Sequence, residues 1–240
     1  MKSVVISQPM FFPWVGMFEQ MRLADVYIHY DDAQFSKGSF TNRVQIKTAQ
    51  GIQWLSMPLR DLHLGQEIRD VLVDERQGWR RKHLRTLEQA YAGSPFRDEM
   101  LALVEEVYGI ASDRVSDLAA ASMETLQRYL GLVNPAEIHW SSRLGIPGES
   151  SIRVLALVKH LGGDVYVTGH GARNYLDHEL FERKGVQVEY MRYQKLAYPQ
   201  LHGEFSPYVS ALDLVANQGV AGAGVICSTT LPWREFLSQS

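Results

Sequence analysis

Asp31-Asp32-Ala33-Gln34-Phe35 is a dense polar group at the end of an apolar, strand-like run. Paired carboxylates at such a place could hold a metal, act as a base or bind an amine. Neighbouring residues on an extended chain face opposite ways, so at most one Asp points into a shared cleft. The structural alternative is that one of them caps the following turn. His29 lies two residues before Asp31 and shares its face if the strand continues. An imidazole near a carboxylate is a candidate general base, or else a half-buried strand histidine with a structural partner. Asn42-Arg43 follows, with Lys37 and Lys47 nearby. A planar guanidinium suits a carboxylate or phosphate, and Asn brings a donor and an acceptor. Arg43 could equally be a surface strand residue. These residues are expected to form the chemical centre, with Asp31 or Asp32 and His29 catalytic and Gln34, Asn42 and Arg43 binding substrate.

A second constellation lies at two other strand ends. In an open parallel sheet, ligands bind beyond the carboxyl ends of the strands, where strand order reverses. Gln8-Pro9 opens one such loop, which runs to Trp14. Thr168-Gly169-His170-Gly171-Ala172 forms the other and leads into a helical stretch near Asn174. Glycines let a backbone approach a ligand, and a helix N-terminus offers free N–H groups to an anion. The plain alternative is a turn between strand and helix. The rule predicts that both loops wall one pocket.

Other groups fit bland roles. Arg80-Arg81-Lys82-His83-Arg85 spreads around a helix and reads as a solvated face. Cys227, alone, reads as a small core residue. Ser228-Thr229-Thr230 resembles the short hydroxyl motif that closes over phosphates in some nucleotidylyltransferases. However, Pro13-Trp14-Val15-Gly16 stands where those enzymes place two histidines. The chain contains no Walker-type loop, HExxH, CxxC or GxSxG.

The elements that must position these residues read as follows. A β-branched run over 3–7 is a strand, stopped by Pro9, which has no N–H to donate. A short helix over 16–24 and a strand over 26–30 follow. Residues 40–46 and 52–59 alternate around Ala49-Gln50-Gly51 as a hairpin. From Gly78 the period becomes helical, with Trp79, His83, Leu84, Leu87 and Tyr91 on one broad face. Ser94-Pro95 is expected to cap the next helix, and a third runs over 113–130, closed by Gly131. The block 78–131 is thus a helical insertion or lid. Strands over 138–140, 164–168 and 186–191, with a helix from Glu149-Ser150-Ser151 to Leu161, restore the α/β rhythm. The fold class is α/β: a mostly parallel or mixed sheet with flanking helices, nucleotidylyltransferase- or HUP-like in outline.

Composition bounds the rest. The 240 residues are 45% hydrophobic and 21% charged, which excludes wholesale disorder. That length suits one α/β domain over 1–240 with the helical block as insertion. With 24 basic against 27 acidic residues there is no global basic field, so bulk nucleic acid is not an expected partner. A single cysteine fits a reducing compartment. The opening apolar run is too short for a signal peptide, and nothing approaches the ~20 residues of a membrane span. The expected setting is the cytoplasm. No cofactor is assigned.

The string from Gln8 to Phe18, then Asp25-Val26, the residues from Asp31 to Lys37, and Asn42-Arg43 together resemble the WbqC-like protein family. Tyr166-Val167-Thr168-Gly169, Tyr175-Leu176, Tyr198, Phe205-Ser206-Pro207 and Asn217-Gln218-Gly219 extend the likeness. Val15-Gly16-Met17 replaces a commoner Leu-Gly-Tyr, and no group with a chemical role is lost by it. Residues past Gly219 lie outside the resemblance. It implies a place in bacterial surface-polysaccharide (O-antigen) gene clusters and a glycine-transferase role. The expected function is therefore transfer of a small acyl or aminoacyl group, glycyl for instance, to a sugar nucleotide or related acceptor. The expected partners are a sugar nucleotide or an activated amino acid. The alternatives are an ATP-dependent nucleotidylyltransferase-like enzyme and a non-catalytic ligand-binding protein.

Overall fold

The computed structural model describes residues 1–135 and 137–239. Its elements run, in chain order, β1 (Ser3–Ser7), α1 (Val15–Arg22), β2 (Val26–His29), β3 (Arg43–Thr48), β4 (Gly51–Ser56), β5 (Leu59–Arg60) and β6 (Leu72–Val73). Next come α2 (Trp79–Ala90), α3 (Arg97–Tyr108), α4 (Val115–Tyr129), β7 (Glu137–Trp140), α5 (Ser141–Leu144) and α6 (Ser150–His160). The chain closes with β8 (Val165–Thr168), α7 (His178–Arg183), β9 (Gln187–Arg192), α8 (Ala211–Gln218), β10 (Thr229–Pro232) and α9 (Trp233–Ser238).

The central sheet has the order β10-β9-β8-β1-β2-β7. Every neighbouring pair is parallel except β10–β9, an antiparallel edge. The Val/Ile-rich strands β1, β2 and β8 are buried on both faces, as parallel strands covered by helices must be. Their pleat sorts residues into two cores. Val4, Ile6, Val26, Ile28 and Tyr166 pack with Val154, Leu157 and Val158 of α6 and Phe181 of α7. Val5, Tyr27 and Val167 pack on the other face with α1, α4 and α8. From β1 the chain lays β2 then β7 on one side and β8 then β9 on the other. The sheet is doubly wound, and its order reverses between β1 and β8.

The helical block α2–α4 shares the second core through Leu87, Met100, Val104 and Met123, which join Phe11 and Phe12 of the first loop. It is a covering layer built into that core. Two details differ from expectation. Phe96, not Ser94, is the N-cap of α3, because the Ser94 hydroxyl is used on Asn217 Oδ1 at 3.2 Å. Arg80 is paired with Glu75 and bonded to the Tyr108 carbonyl, so of the basic run only Arg81, Lys82 and Arg85 form the solvated face. The hairpin β3–β4 stands as its own two-stranded sheet. No helix among the described residues is long and apolar enough to cross a membrane.

Candidate functional site

The loop after β1 is held in a shape it would not choose. Phe12 is buried at φ 41°, the left-handed region, where a non-glycine residue is strained. Its N–H donates to Ser122 Oγ of α4 at 2.7 Å, and its carbonyl accepts from Ser210 Oγ at 2.7 Å. Those anchors turn Trp14 back over α1. A Cβ on Gly16 would lie 2.1 Å from the Trp14 ring, so the indole sits where only glycine leaves room. Trp14 also meets the rings of Tyr193 at 5.0 Å and Tyr208 at 5.7 Å.

The loop after β8 approaches from the other side of the switch point. Gly169 packs so near Tyr193 that a Cβ would be 3.2 Å from its hydroxyl. His170 opens a 3-10 turn, His170–Asn174, and its Nε2 lies 2.7 Å from the Met191 carbonyl. A carbonyl only accepts, so Nε2 carries the hydrogen. In the neutral ring the acceptor is then Nδ1, for which no hydrogen bond is present among the described residues.

Between the two loops lies a cleft of about 830 Å³, within the range of small-molecule sites. Gln8, Trp14, Thr168, Gly169, His170, Gly171 and Tyr175 all line it, as the strand-end rule predicts. Pro9 is buried in the same loop but off the wall. Further wall comes from Ser7, Gln20 of α1, Tyr30 after β2, Ser150 at the start of α6, Tyr166, and the coil residues Tyr193, Lys195 and Tyr208. Among the described residues no Asp or Glu lines it. Burial raises the phenol pKa values of Tyr166 and Tyr193, so these rings are neutral in the ordinary range.

The other expected centre is distributed over separate structural jobs. Asp31 is buried, and its carboxylate caps α5: Oδ1 accepts from Ser142 N–H at 3.0 Å and Ser141 Oγ at 3.1 Å, and Oδ2 from Ser142 Oγ at 2.6 Å. Asp32 accepts from Ser141 Oγ at 2.6 Å and pairs with Arg153. Burial raises its pKa, but the Arg153 and Ser141 hydrogen bonds outweigh that and leave it lowered. Asn42 Nδ2 donates to the Met57 carbonyl at 2.9 Å, closing the base of the hairpin. Arg43 donates to the Gly38 carbonyl and lies 4.1 Å over the Trp54 ring. Neither Asn42 nor Arg43 bonds either carboxylate; their partners are the Met57 and Gly38 carbonyls. Gln34 makes a backbone bridge with Glu67. His29 is fully buried between the Tyr27 and Trp140 rings, with Nε2 3.4 Å from Glu124 Oε1. None of these residues lines the cleft. Asp32 reaches it at second hand: Arg153 Nη1 donates to the Tyr30 hydroxyl at 3.4 Å.

Cys227 is half-buried beside Gln194 rather than in the core. Ser228 is tied down by Arg22, which donates to its carbonyl at 2.6 Å, and by the Gln194 N–H at 2.9 Å. Thr229 and Thr230 belong to edge strand β10. No group of three or more His, Cys, Asp or Glu that could hold a metal occurs among the described residues.

Sequence reasoning missed Tyr30, Tyr193 and Lys195. For Tyr30 and Tyr193 the signal was present: each directly follows the carboxyl end of a parallel strand, β2 or β9. Tyr208 and Ser150 carried no such mark.

The fold and site define a doubly wound α/β protein with a cleft of small-molecule size at its topological switch point. Residues 8–224 match the model of the WbqC-like protein family, and the chain belongs to that family. It is also 32% identical over 224 residues to the "Uncharacterized protein Rv1507c" of Mycobacterium tuberculosis (strain ATCC 25618 / H37Rv). That match covers 91% of this chain and 95% of the mycobacterial protein. No solved structure matches the chain.

Proposed function

We propose that the protein is a cytoplasmic transferase of bacterial surface-polysaccharide biosynthesis. It moves a small acyl or aminoacyl group, glycyl in the first instance, to an amine or hydroxyl of a sugar nucleotide or related acceptor. The observation that carries this reading is the switch-point cleft with His170 on its wall. With Nε2–H held on the Met191 carbonyl, Nδ1 is the lone pair available to a substrate. The acceptor nitrogen or oxygen attacks the carbonyl carbon of the activated acyl group. The new C–N or C–O bond forms, the bond to the carrier sulfur or oxygen breaks, and the acceptor's proton passes to Nδ1 and then to the departing carrier. In this reading Asp32 is a positioning residue, acting through Arg153 on Tyr30, and Asp31 holds α5 in place.

The test supplies glycine on a thioester carrier or on tRNA, with UDP-linked amino sugars as acceptors. Mass spectrometry should find a product heavier by one glycyl residue. His170→Gln can still donate to Met191 but has no basic nitrogen, and should lose about 10²–10⁴-fold in turnover while still binding acceptor. A fully active His170→Gln would remove the base from this account. The doubly wound order favours one other reading, ATP-dependent activation, which pyrophosphate exchange would reveal. The first loop lacks a histidine pair, and Ser228-Thr229-Thr230 lies off the cleft; both weigh against it.

A further inference from the structure

The two aromatic walls of the cleft enclose a site with a definite charge. Tyr30, Tyr166 and Tyr175 face it from one side; Trp14, Tyr193 and Tyr208 from the other. Tyr175 is 59% exposed and Tyr208 50%, far more than an aromatic ring kept for packing needs. Both are at the mouth, available to a ring that enters from solvent. Lys195 also lines the cleft, with its Nζ 2.7 Å from the Tyr208 hydroxyl and in no ion pair among the described residues. Its backbone sits at φ 52°, in the left-handed region. The N-terminal turn of α6 begins on the same wall at Ser150, with no side chain capping its N–H groups.

These features sort the ligand classes that a transferase of this kind could place here. An amino acid brings an ammonium, which a buried site meets with a carboxylate, and no carboxylate lines this cleft. A bare sugar could use the polar side chains of Ser7, Gln8, Gln20, Ser150 and Thr168, but would leave the charge of Lys195 without an anion. A nucleoside diphosphate needs a π-surface for its base and uncompensated positive charge for its phosphates. The cleft has both.

We infer that the switch-point cleft binds the nucleoside diphosphate end of the substrate, the base stacked at the mouth against the exposed Tyr175 and Tyr208 rings and the phosphates drawn to Lys195. The inference rests on the transferase reading only in taking a sugar nucleotide as one substrate. It places the acyl donor outside this cleft and the sugar's reacting amine or hydroxyl toward His170.

Calorimetric titration of the full chain with UDP, GDP and ADP, against uridine and inorganic pyrophosphate, tests it. One diphosphate should bind at least tenfold tighter than uridine or pyrophosphate. Lys195→Gln should cost that diphosphate tenfold or more and leave uridine unchanged, whereas Tyr175→Ala should weaken both. Arg81→Ala, on the solvated helix, should change neither. Failure of all three diphosphates to bind overturns the inference, as does binding indifferent to Lys195→Gln. The two failures are separable. Diphosphate binding without glycyl transfer leaves the cleft assignment and removes the transferase. Glycyl transfer to a free amino sugar by a protein that binds no diphosphate does the reverse.

Discussion

Backbone placement decides what His170 and His29 can do. His29 ends β2 and His170 follows β8, yet His29 is walled in by Tyr27, Trp140 and Glu124 with neither ring nitrogen hydrogen-bonded, whereas His170 bonds the Met191 carbonyl and lines a solvent-open cleft. Residue type and spacing alone cannot separate them. The same holds for Asp31: its partners Ser141 and Ser142 are more than a hundred positions away, so the cap it makes is invisible to any local reading. Gly16 is the converse case, a residue without function of its own that sets a wall. A methyl there collides with the Trp14 indole, which must swing out of the cleft. Gly16→Ala should therefore weaken binding of the preferred nucleoside diphosphate at least tenfold in titration, with a thermal midpoint only a few degrees lower. Unchanged affinity would mean that Trp14 is not part of the binding surface.

The elements carry the strain that the loops hold. Ser122 of α4 satisfies the buried Phe12 N–H at its left-handed turn. Ser122→Ala leaves that N–H unpaired and should cost about 1–3 kcal/mol, read from urea midpoints, with loosened substrate affinity. His83 ties α2 to α3 through the Tyr108 hydroxyl at 2.9 Å. Burial pushes its pKa down to about 4. Between pH 6.5 and 4 the unfolded chain takes up a proton there that the folded chain refuses, so stability rises with pH across that window and is lost on acidification. A displacement of that size corresponds to about 3 kcal/mol. Urea titrations at pH 6.5 and 4.5 should show a smaller acid loss in His83→Gln than in the parent; equal losses would contradict the assignment. Arg81→Ala should shift stability by less than about 0.5 kcal/mol, because its side chain is on the solvated face of α2. Of these elements, the strands and the amphipathic helices were legible because apolar periodicity is local. The α3 cap was not, since Ser94 spends its hydroxyl on a residue far along the chain.

At the scale of the molecule, one topological rule located the cleft. The sequence showed two loops punctuated by Pro9 and by Gly169 and Gly171 at strand ends, and the sheet brings both to the point where its order reverses. What the rule could not show was the third wall. Lys195 and Tyr208 come from a coil that follows β9, with no motif and no period to mark them. The central claim is that this cleft, and not the segment from His29 to Arg43, meets the substrate. Hydrogen–deuterium exchange with and without UDP-N-acetylglucosamine measures it most directly. Peptides covering 8–14, 168–175 and 193–195 should gain protection while those covering 29–43 do not. Protection confined to 29–43, or absent throughout the chain, would contradict the account.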